Sequence, residues 1–377
     1  MELPVLQYAG GDLASLRLNL TYFNYDGPRR VTSFDISANQ NRMYVSFGVN
    51  LASFCGAVYL VLRHSPKDMG IYKYLLLNII IWSFLMDTSL TLLWMPYVMM
   101  PAPAICTTGL LRGFGVYGGS SLCFVIFMFC FSGCNISCGI AQFFRFLAVR
   151  PHGQIKIFRN TRFLFGVAMI YVFTPIPVIL AYFYSMEYDY DGLQFFLTEN
   201  FPFTRSIVLK VPCGGFIIDG HHYKYLVFFG TGLLCMLICM TSSVALLTSL
   251  LKSLKRQLKT SVAMKGAKQQ RQLYMALLFQ TLLPTLCLGL PYSLLVVESL
   301  INNDVLGYLS HLFLAVGSLH SFFNVTVLIF MIKPYKMAVF SRIPMLRKAM
   351  DSTIEIPTVS QLALRQMSRS VSVFSTY

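Results

Sequence analysis

Seven long apolar stretches alternate with polar segments along the chain. Six of them contain no charged residue, and the second contains one, Asp87. A bilayer core about 30 Å thick takes about 20 apolar residues in a helix, and these stretches are too long and too continuous for barrel strands. They predict an all-α membrane protein, a bundle of seven transmembrane helices at residues 44–62, 74–99, 113–144, 163–186, 225–251, 273–297 and 305–332.

Prolines interrupt three of these stretches. We expect each proline to kink its helix without ending it, because neighbouring helices in a bundle can satisfy the freed carbonyl groups. A bend of this kind is the ordinary consequence of proline in a membrane helix. The prolines concerned are Pro96, Pro175, Pro177, Pro284 and Pro291.

Basic residues collect in every second segment between the stretches. The segments after the first, third, fifth and seventh stretches hold 22 Lys and Arg against 3 Asp and Glu, whereas the other four hold 8 against 11. By the positive-inside rule, this bias predicts an N-terminus outside and a C-terminus inside the cell. We therefore expect an extracellular N-terminal tail (1–43), a helix bundle (44–332) and a cytoplasmic tail (333–377) with an amphipathic basic segment followed by a Ser/Thr-rich stretch.

The composition narrows the class of protein. Only 12% of the 377 residues are charged and 56% are hydrophobic, whereas soluble domains carry about 25% charged residues. A soluble enzyme is therefore excluded. The net charge of +15 would suggest nucleic acid in a soluble protein, but here it is accounted for by the basic segments that set orientation.

No pattern in the sequence predicts catalysis, a cofactor or a metal site. Glycine-rich phosphate loops, zinc-protease helices and nucleophile elbows are missing, and the six His are scattered. Four cysteines share one stripe of the third stretch, where a single helix cannot surround a metal, so we interpret them as buried thiols. They are Cys123, Cys130, Cys134 and Cys138.

Two features fit the expected extracellular side. Asn19 lies in a glycosylation sequon on the N-terminal tail. Of the ten cysteines, only Cys106 and Cys213 lie in predicted outer segments. In an oxidising compartment, such a pair predicts a disulfide that ties the long outer loop to the top of the third helix.

Asp87 is the one acid within the predicted membrane region. Such a residue normally faces the bundle interior and has a polar partner. His320 lies at a similar depth in the seventh stretch, and Asn324 lies about one turn further along. The sequence therefore predicts an intramembrane polar cluster of Asp87, His320 and Asn324, which serves either as an ion- or proton-sensitive switch or as a structural interhelical hydrogen bond.

Two runs resemble the first-loop and second-helix signature of nematode serpentine chemoreceptors. Residues 63–78 read RHSPKDMGIYKYLLLN and residues 82–87 read WSFLMD. Class H of the Str superfamily is the most similar class, and class I is next. Further matches are Gln280, Pro284, Pro291, His320 and the run Pro334-Tyr335-Lys336. Two motifs of rhodopsin-like receptors are missing, since Phe144-Arg145-Phe146 replaces the acid-Arg-Tyr triplet and the seventh stretch has no Asn-Pro-x-x-Tyr.

The resemblance implies a chemosensory G-protein-coupled receptor in the plasma membrane, in the cilium of a sensory neuron. It would detect a small molecule, an odorant or a soluble chemical, and signal through a heterotrimeric G protein. The alternative is a multi-pass transporter or ligand-gated channel, which predicts several intramembrane charges along a path, whereas this sequence offers one.

Candidate contact residues follow from membrane depth and chemistry. An apolar wall with few polar groups is typical of a ligand pocket, although each of these residues also suits ordinary packing. The candidate pocket consists of Tyr117, Ser120, Ser121, Phe228, Phe229, Tyr292 and His311. The candidate G-protein face consists of Arg145, Arg150, Lys255, Arg256 and Lys259. For Arg145, a side chain that merely reaches the interface from the helix end is the alternative.

Overall fold

The structure is a computed structural model that describes residues 33–66, 69–99, 102–149, 154–217, 223–258 and 314–340, with isolated positions between 275 and 293. In these residues, five helices are long and apolar enough to cross a membrane. They would be six if His320–Met331 and Pro334–Phe340, which are bent by 99° at a short break, form one span. The predicted sixth stretch, 273–297, lies mostly outside the described residues.

The first three spans are α1, α2 and α3. Helix α1 covers Ser33–His64 and α2 covers Tyr72–Thr88, which continues as a π-helical turn at Ser89–Trp94. Helix α3 covers Leu122–Val149 and is preceded by a second π-helical turn at Val116–Ser121. The three helices pack side by side, with α2 between α1 and α3.

The second span ends earlier than its hydropathy predicts. Met95 has a left-handed backbone with φ 47°, the only positive φ of a non-glycine residue in the described part of the chain. A left-handed residue cannot continue a right-handed helix, and Pro96 then begins a β-strand. The expectation of a helix to residue 99, with Pro96 as an internal kink, is therefore wrong.

The fourth and fifth spans complete this part of the bundle. The fourth consists of α4 (Thr161–Phe173) and α5 (Ile176–Ser185), joined by a turn at Thr174 and Pro175. The side chain of Asn160 caps α4 by accepting from the backbone N–H of Arg162 at 2.9 Å. The fifth span follows as one long helix, α8 (Tyr223–Leu258), which packs against α3 and α5.

The segment between the second and third spans and the segment between the fourth and fifth spans together form a small cap. Three strands, β1 (Pro96–Val98), β2 (Ala104–Thr107) and β3 (Cys213–Gly215), form an antiparallel sheet in that order. Helices α6 (Tyr190–Asn200) and α7 (Arg205–Val208) pack beside the sheet. The sequence predicted no strand here, because strands of three or four residues carry no readable alternation.

A disulfide joins two strands of the cap. Cys106 of β2 lies directly opposite Cys213 of β3, and their sulfur atoms are 2.02 Å apart. Both residues are fully buried in an apolar core that includes Leu197 and Phe201. We call this end of the bundle the disulfide end and the opposite end, which contains Arg145, the Arg145 end.

The last described segment is helical but interrupted. Residues 314–317 are helical, Ser318 and Leu319 form a turn, and α9 then covers His320–Met331. Helix α10 (Lys333–Phe340) packs back onto α1. It forms the described part of the expected amphipathic segment.

Gly133 permits close contact between α2 and α3. A Cβ atom at this position would lie 2.3 Å from Cε3 of Trp82, whose ring stacks on Tyr171 of α4 with centroids 5.4 Å apart. The stacking on Tyr171 restrains the Trp82 ring, which therefore cannot move away easily. We expect Gly133→Ala to lower the free energy of unfolding by about 1–3 kcal/mol through overpacking.

The measurement is the thermal unfolding midpoint of the purified protein in detergent. Gly139→Ala on the same helix is the matched control, because a Cβ atom at Gly139 meets nothing within 4 Å. Equal midpoints for the two variants would contradict the contact between Gly133 and Trp82.

Candidate functional site

The break before α9 leaves backbone groups that need partners in the bundle interior. The first amides of a helix have no acceptor within that helix, and the surrounding hydrocarbon supplies none. Asn50 of α1 donates to the carbonyl of Ser318 at 2.7 Å and accepts from the N–H of Phe322 at 3.3 Å. Asp87 of α2 accepts from the N–H of Ser321 at 2.5 Å. Two side chains from other helices thus cap the break.

Asp87 is well placed for this role. Its side chain is completely buried, and its Oδ2 atom lies at the N-terminus of α9, where the helix dipole stabilises negative charge. The sequence predicted His320 or Asn324 as the hydrogen-bond partner of Asp87, but neither side chain bonds to it. Asn324 donates instead to the hydroxyl of Ser83 at 2.9 Å. Both ring nitrogens of His320 are buried without a hydrogen bond among the described residues.

A second polar cluster joins α2, α3 and α4. The amide of Asn78 donates to the hydroxyls of Ser137 at 2.9 Å and Tyr171 at 2.8 Å. These two hydroxyls are themselves 2.8 Å apart. Sequence reasoning missed this cluster and also Asn50, although the signal was available, because Asn78 and Asn50 are strongly polar residues within long apolar stretches.

The cysteine stripe of α3 lies inside the bundle. All four thiols are buried and unbridged, and Cys134 lies 3.3 Å from the hydroxyl of Ser83. Among the described residues, no three His, Cys, Asp or Glu side chains are grouped so as to hold a metal ion.

The candidate ligand residues separate into filled and open positions. Phe228 and Phe229 pack with Phe124 and Tyr182 in an aromatic cluster, in which the rings of Phe124 and Tyr182 are 4.1 Å apart. Ser120 and Ser121 are buried beside this cluster. Ser120, Phe228 and Phe229 are therefore packed away, whereas Ser121 also lines a cavity. Tyr292 and His311 lie outside the described residues.

Of the described candidates, Tyr117 has the most contact with open space. It lies at the disulfide end, just before α3, and it lines two cavities, of about 340 Å³ and about 460 Å³. The first cavity is lined by Tyr117, Gly118, Ser121, Leu122, Val125 and Phe183. The second is lined by Gly115, Val116, Tyr117, Tyr190, Gln194, Val208, Leu209, Lys210, Val211 and Pro212.

Contacts with the cap fix the Tyr117 side chain. Its ring stacks on Tyr188 with centroids 6.2 Å apart and planes 11° apart. Its hydroxyl also donates to the carbonyl oxygen of Tyr188. A shift of the segment between α5 and α6 would therefore be transmitted to the start of α3.

Arg145 lies near the opposite end of the same helix. Its guanidinium carbon is 3.5 Å from the ring centroid of Tyr72, and its Nε atom is buried with no hydrogen-bond partner among the described residues. The hydroxyl of Tyr335 lies 2.7 Å from that of Ser65, so α10 is held to the end of α1 beside this contact. Arg145 is thus covered by an aromatic ring.

A comparison with protein families identifies the family of this chain. The model of the serpentine type 7TM GPCR chemoreceptor Srh family matches residues 40–345, more than three quarters of the chain. The chain belongs to this family. No curated protein matches it.

Family membership gives the two ends of the bundle a context. The receptor is a multi-pass membrane protein of a chemosensory family, and that family is one of receptors, not of enzymes. Its open volumes lie at one end of the third span, and a covered arginine lies at the other.

Several residues proposed from the sequence cannot be placed. Lys255 and Arg256 belong to the last turns of α8, but their side chains are not among those described. Asn19, Arg150 and Lys259 lie outside the described residues.

Replacing Asp87 with two different residues tests the cap of the break. Asn keeps an oxygen that accepts from Ser321, whereas Leu leaves that buried amide without a partner. We expect Asp87→Leu to lower the free energy of unfolding by about 1–3 kcal/mol relative to Asp87→Asn. Thermal unfolding of the two purified variants measures the difference. Identical midpoints would show that the bond to Ser321 does not contribute to stability.

Proposed function

We propose that the receptor lies in the plasma membrane with its N-terminus outside, binds a small molecule at the disulfide end and activates a heterotrimeric G protein at the Arg145 end. The observation that carries this proposal is the course of the third span. It runs without interruption from the π-helical turn that holds Tyr117 to Arg145. At 1.5 Å per residue this is about 40 Å, comparable to the thickness of a bilayer with its interfaces.

The distribution of charge supports this orientation. The polar segments on the side of Arg145 carry 22 of the 30 Lys and Arg residues, as is typical of cytoplasmic loops. The disulfide between Cys106 and Cys213 lies at the other end, where the oxidising exterior would preserve it. By the family's chemosensory role, the cilium of a sensory neuron is the proposed site of expression.

Activation requires two arrangements of the bundle that differ in ligand affinity. A ligand shifts such an equilibrium only by as much as it prefers one arrangement. A molecule that enters a cavity beside Tyr117 would alter the packing of Tyr117 on Tyr188 and so the position of the first turns of the third span. The same span carries Arg145 at its far end, so the change reaches the cytoplasmic side through one rigid element.

The contact between Arg145 and Tyr72 would restrain the resting receptor. While its guanidinium lies on the Tyr72 ring, that face of Arg145 is not available to a cytoplasmic partner. A cation–π contact contributes about 0.5–2 kcal/mol, and the unpaired Nε atom offsets part of it. The restraint is therefore weak enough for a ligand to overcome.

Substitution of Tyr72 tests this restraint. We expect Tyr72→Leu to raise ligand-free signalling about fivefold, the effect of about 1 kcal/mol on a two-state equilibrium. Tyr72→Phe keeps the ring and should leave signalling at the wild-type level. The measurement is basal cAMP or calcium in transfected cells, normalised to receptor at the surface.

The exposed Tyr74 provides the matched control. It lies two residues away with 59% of its surface exposed, and Tyr74→Leu should leave basal signalling unchanged. Equal basal signalling in Tyr72→Leu and wild type, at equal surface expression, would contradict the proposed restraint.

A ligand screen tests the function as a whole. Cells that express the receptor are exposed to a panel of volatile and water-soluble chemicals, and cAMP and calcium are recorded. We expect at least one chemical to give a response that disappears in cells lacking heterotrimeric G proteins. A ligand-gated current or substrate uptake that persists in those cells would support the channel or transporter alternative instead.

A further inference from the structure

We propose that the cavity of about 460 Å³ at the disulfide end binds a small organic acid, whose carboxylate pairs with Lys210. The proposal rests on the proposed function in assigning the ligand to this end, and it adds the chemical class of that ligand. The cavity lies between α6, the segment that follows α7 and the residues that lead into the third span. Its volume falls within the range of about 300–1,000 Å³ that is usual for small-molecule sites.

Lys210 supplies an unpaired positive charge at the cavity wall. Its side chain is exposed, and its backbone N–H donates to the carbonyl of Ile207 at 2.8 Å. Within the described part of the chain, no hydrogen bond or ion pair engages its ammonium group. An ammonium group only donates hydrogen bonds, so it binds an anion most strongly.

Tyr190 supplies a second donor. Its hydroxyl oxygen accepts from the amide of Gln194 at 2.7 Å, and the same amide nitrogen also donates to the carbonyl of Val208 at 3.1 Å. The Tyr190 hydroxyl is therefore held in place with its own proton free to point into the cavity. Burial raises the pKa of Tyr190, so the proton is present at neutral pH. Two donors suit the two oxygens of a carboxylate.

No Asp or Glu is among the residues that line the cavity. The negative charge of Asp191 adds to burial in raising the pKa of Tyr190. Two further acids, just before α6, are engaged by backbone groups. Glu187 accepts from the backbone N–H groups of Tyr188 and Asp189, both at 3.1 Å. Asp189 accepts from the N–H of Gly192 at 3.0 Å and so caps α6. Neither carboxylate lines the cavity. The positive charge of Lys210 is thus available to a ligand.

The rest of the wall suits an apolar body. Leu209 and Val211 lie beside Lys210, and the Tyr117 ring separates this cavity from the apolar cavity of about 340 Å³. An acid with a short hydrocarbon chain or one aromatic ring would place its carboxylate at Lys210 and its apolar part against Tyr117. This combination of an apolar wall and few polar groups is typical of ligand sites.

Direct binding to the full-length receptor tests the proposal. The receptor is purified into nanodiscs of uncharged phosphatidylcholine, and hexanoate and phenylacetate are the probes. Saturation-transfer NMR measures binding, with empty nanodiscs as background and hexanol as the uncharged analogue. We expect saturable binding of at least one acid and none of hexanol.

Variants identify the groups that bind. We expect Lys210→Gln to weaken acid binding about tenfold or more, as loss of a charged partner does, and Tyr190→Phe to weaken it by a smaller factor. Arg205→Gln is the matched control, because Arg205 is an exposed cation nearby that does not line the cavity. Thermal midpoints equal to that of wild type establish that the variants are folded.

Three results would overturn the inference: no saturable binding of either acid, equal binding by wild type and Lys210→Gln, or equal binding of hexanol. The assay contains no G protein, so its outcome is separate from that of the signalling screen. A receptor that signals to an uncharged chemical but binds neither acid contradicts only this inference. A receptor that binds acids through Lys210 but activates no G protein contradicts only the proposed function.

Discussion

The hydrogen bonds that cap the break before α9 hold the bundle together at its centre. A helix interrupted inside a membrane leaves amides and carbonyls with no partner in the helix or in the surrounding hydrocarbon. Asp87 and Asn50 satisfy the amides of Ser321 and Phe322 and the carbonyl of Ser318. Because these two side chains come from α2 and α1, the cap joins three helices at one depth. Polar contacts of this kind replace the hydrophobic driving force that lipid cannot provide between helices.

The two ends of the third span are positioned relative to this central cap. Helix α2 is fixed to α9 through Asp87 and to α3 and α4 through Asn78, Ser137 and Tyr171. The third span is therefore held near its middle, while its two ends contact separate groups. At the disulfide end Tyr117 packs on the cap, and at the other end Arg145 packs on Tyr72.

Hydropathy predicted the helices well because lipid imposes one strong rule on long apolar stretches. It failed where a single backbone angle decides the outcome, as at Met95, whose left-handed conformation ends the second span before Pro96. It also predicted no strand in the cap, where three or four residues carry too little pattern. Asp87 was correctly expected to be buried, but its partner is a backbone amide freed by a break that residue types alone do not reveal.

The residues of the candidate sites were also predicted only in part. Depth and chemistry selected Tyr117, which does border open space, but they also selected Phe228 and Phe229, which fill an aromatic cluster. Whether an aromatic ring packs in the interior or lines a cavity depends on three-dimensional packing. Lys210 was not selected, because an exposed lysine in a loop resembles any other until the surrounding wall is known.

Hydrogen exchange at the break tests the central claim most directly. The amides of Ser321 and Phe322 belong to the first turn of α9 and have no acceptor within the helix. Loss of the capping side chains would therefore favour the local opening through which these amides exchange. Mass spectrometry of peptides covering residues 318–324, from receptor in nanodiscs, measures their exchange rates. The account predicts slow exchange in the wild type and exchange at least about tenfold faster in the double variant Asn50→Leu, Asp87→Leu. Exchange at the same rate in both proteins would contradict it.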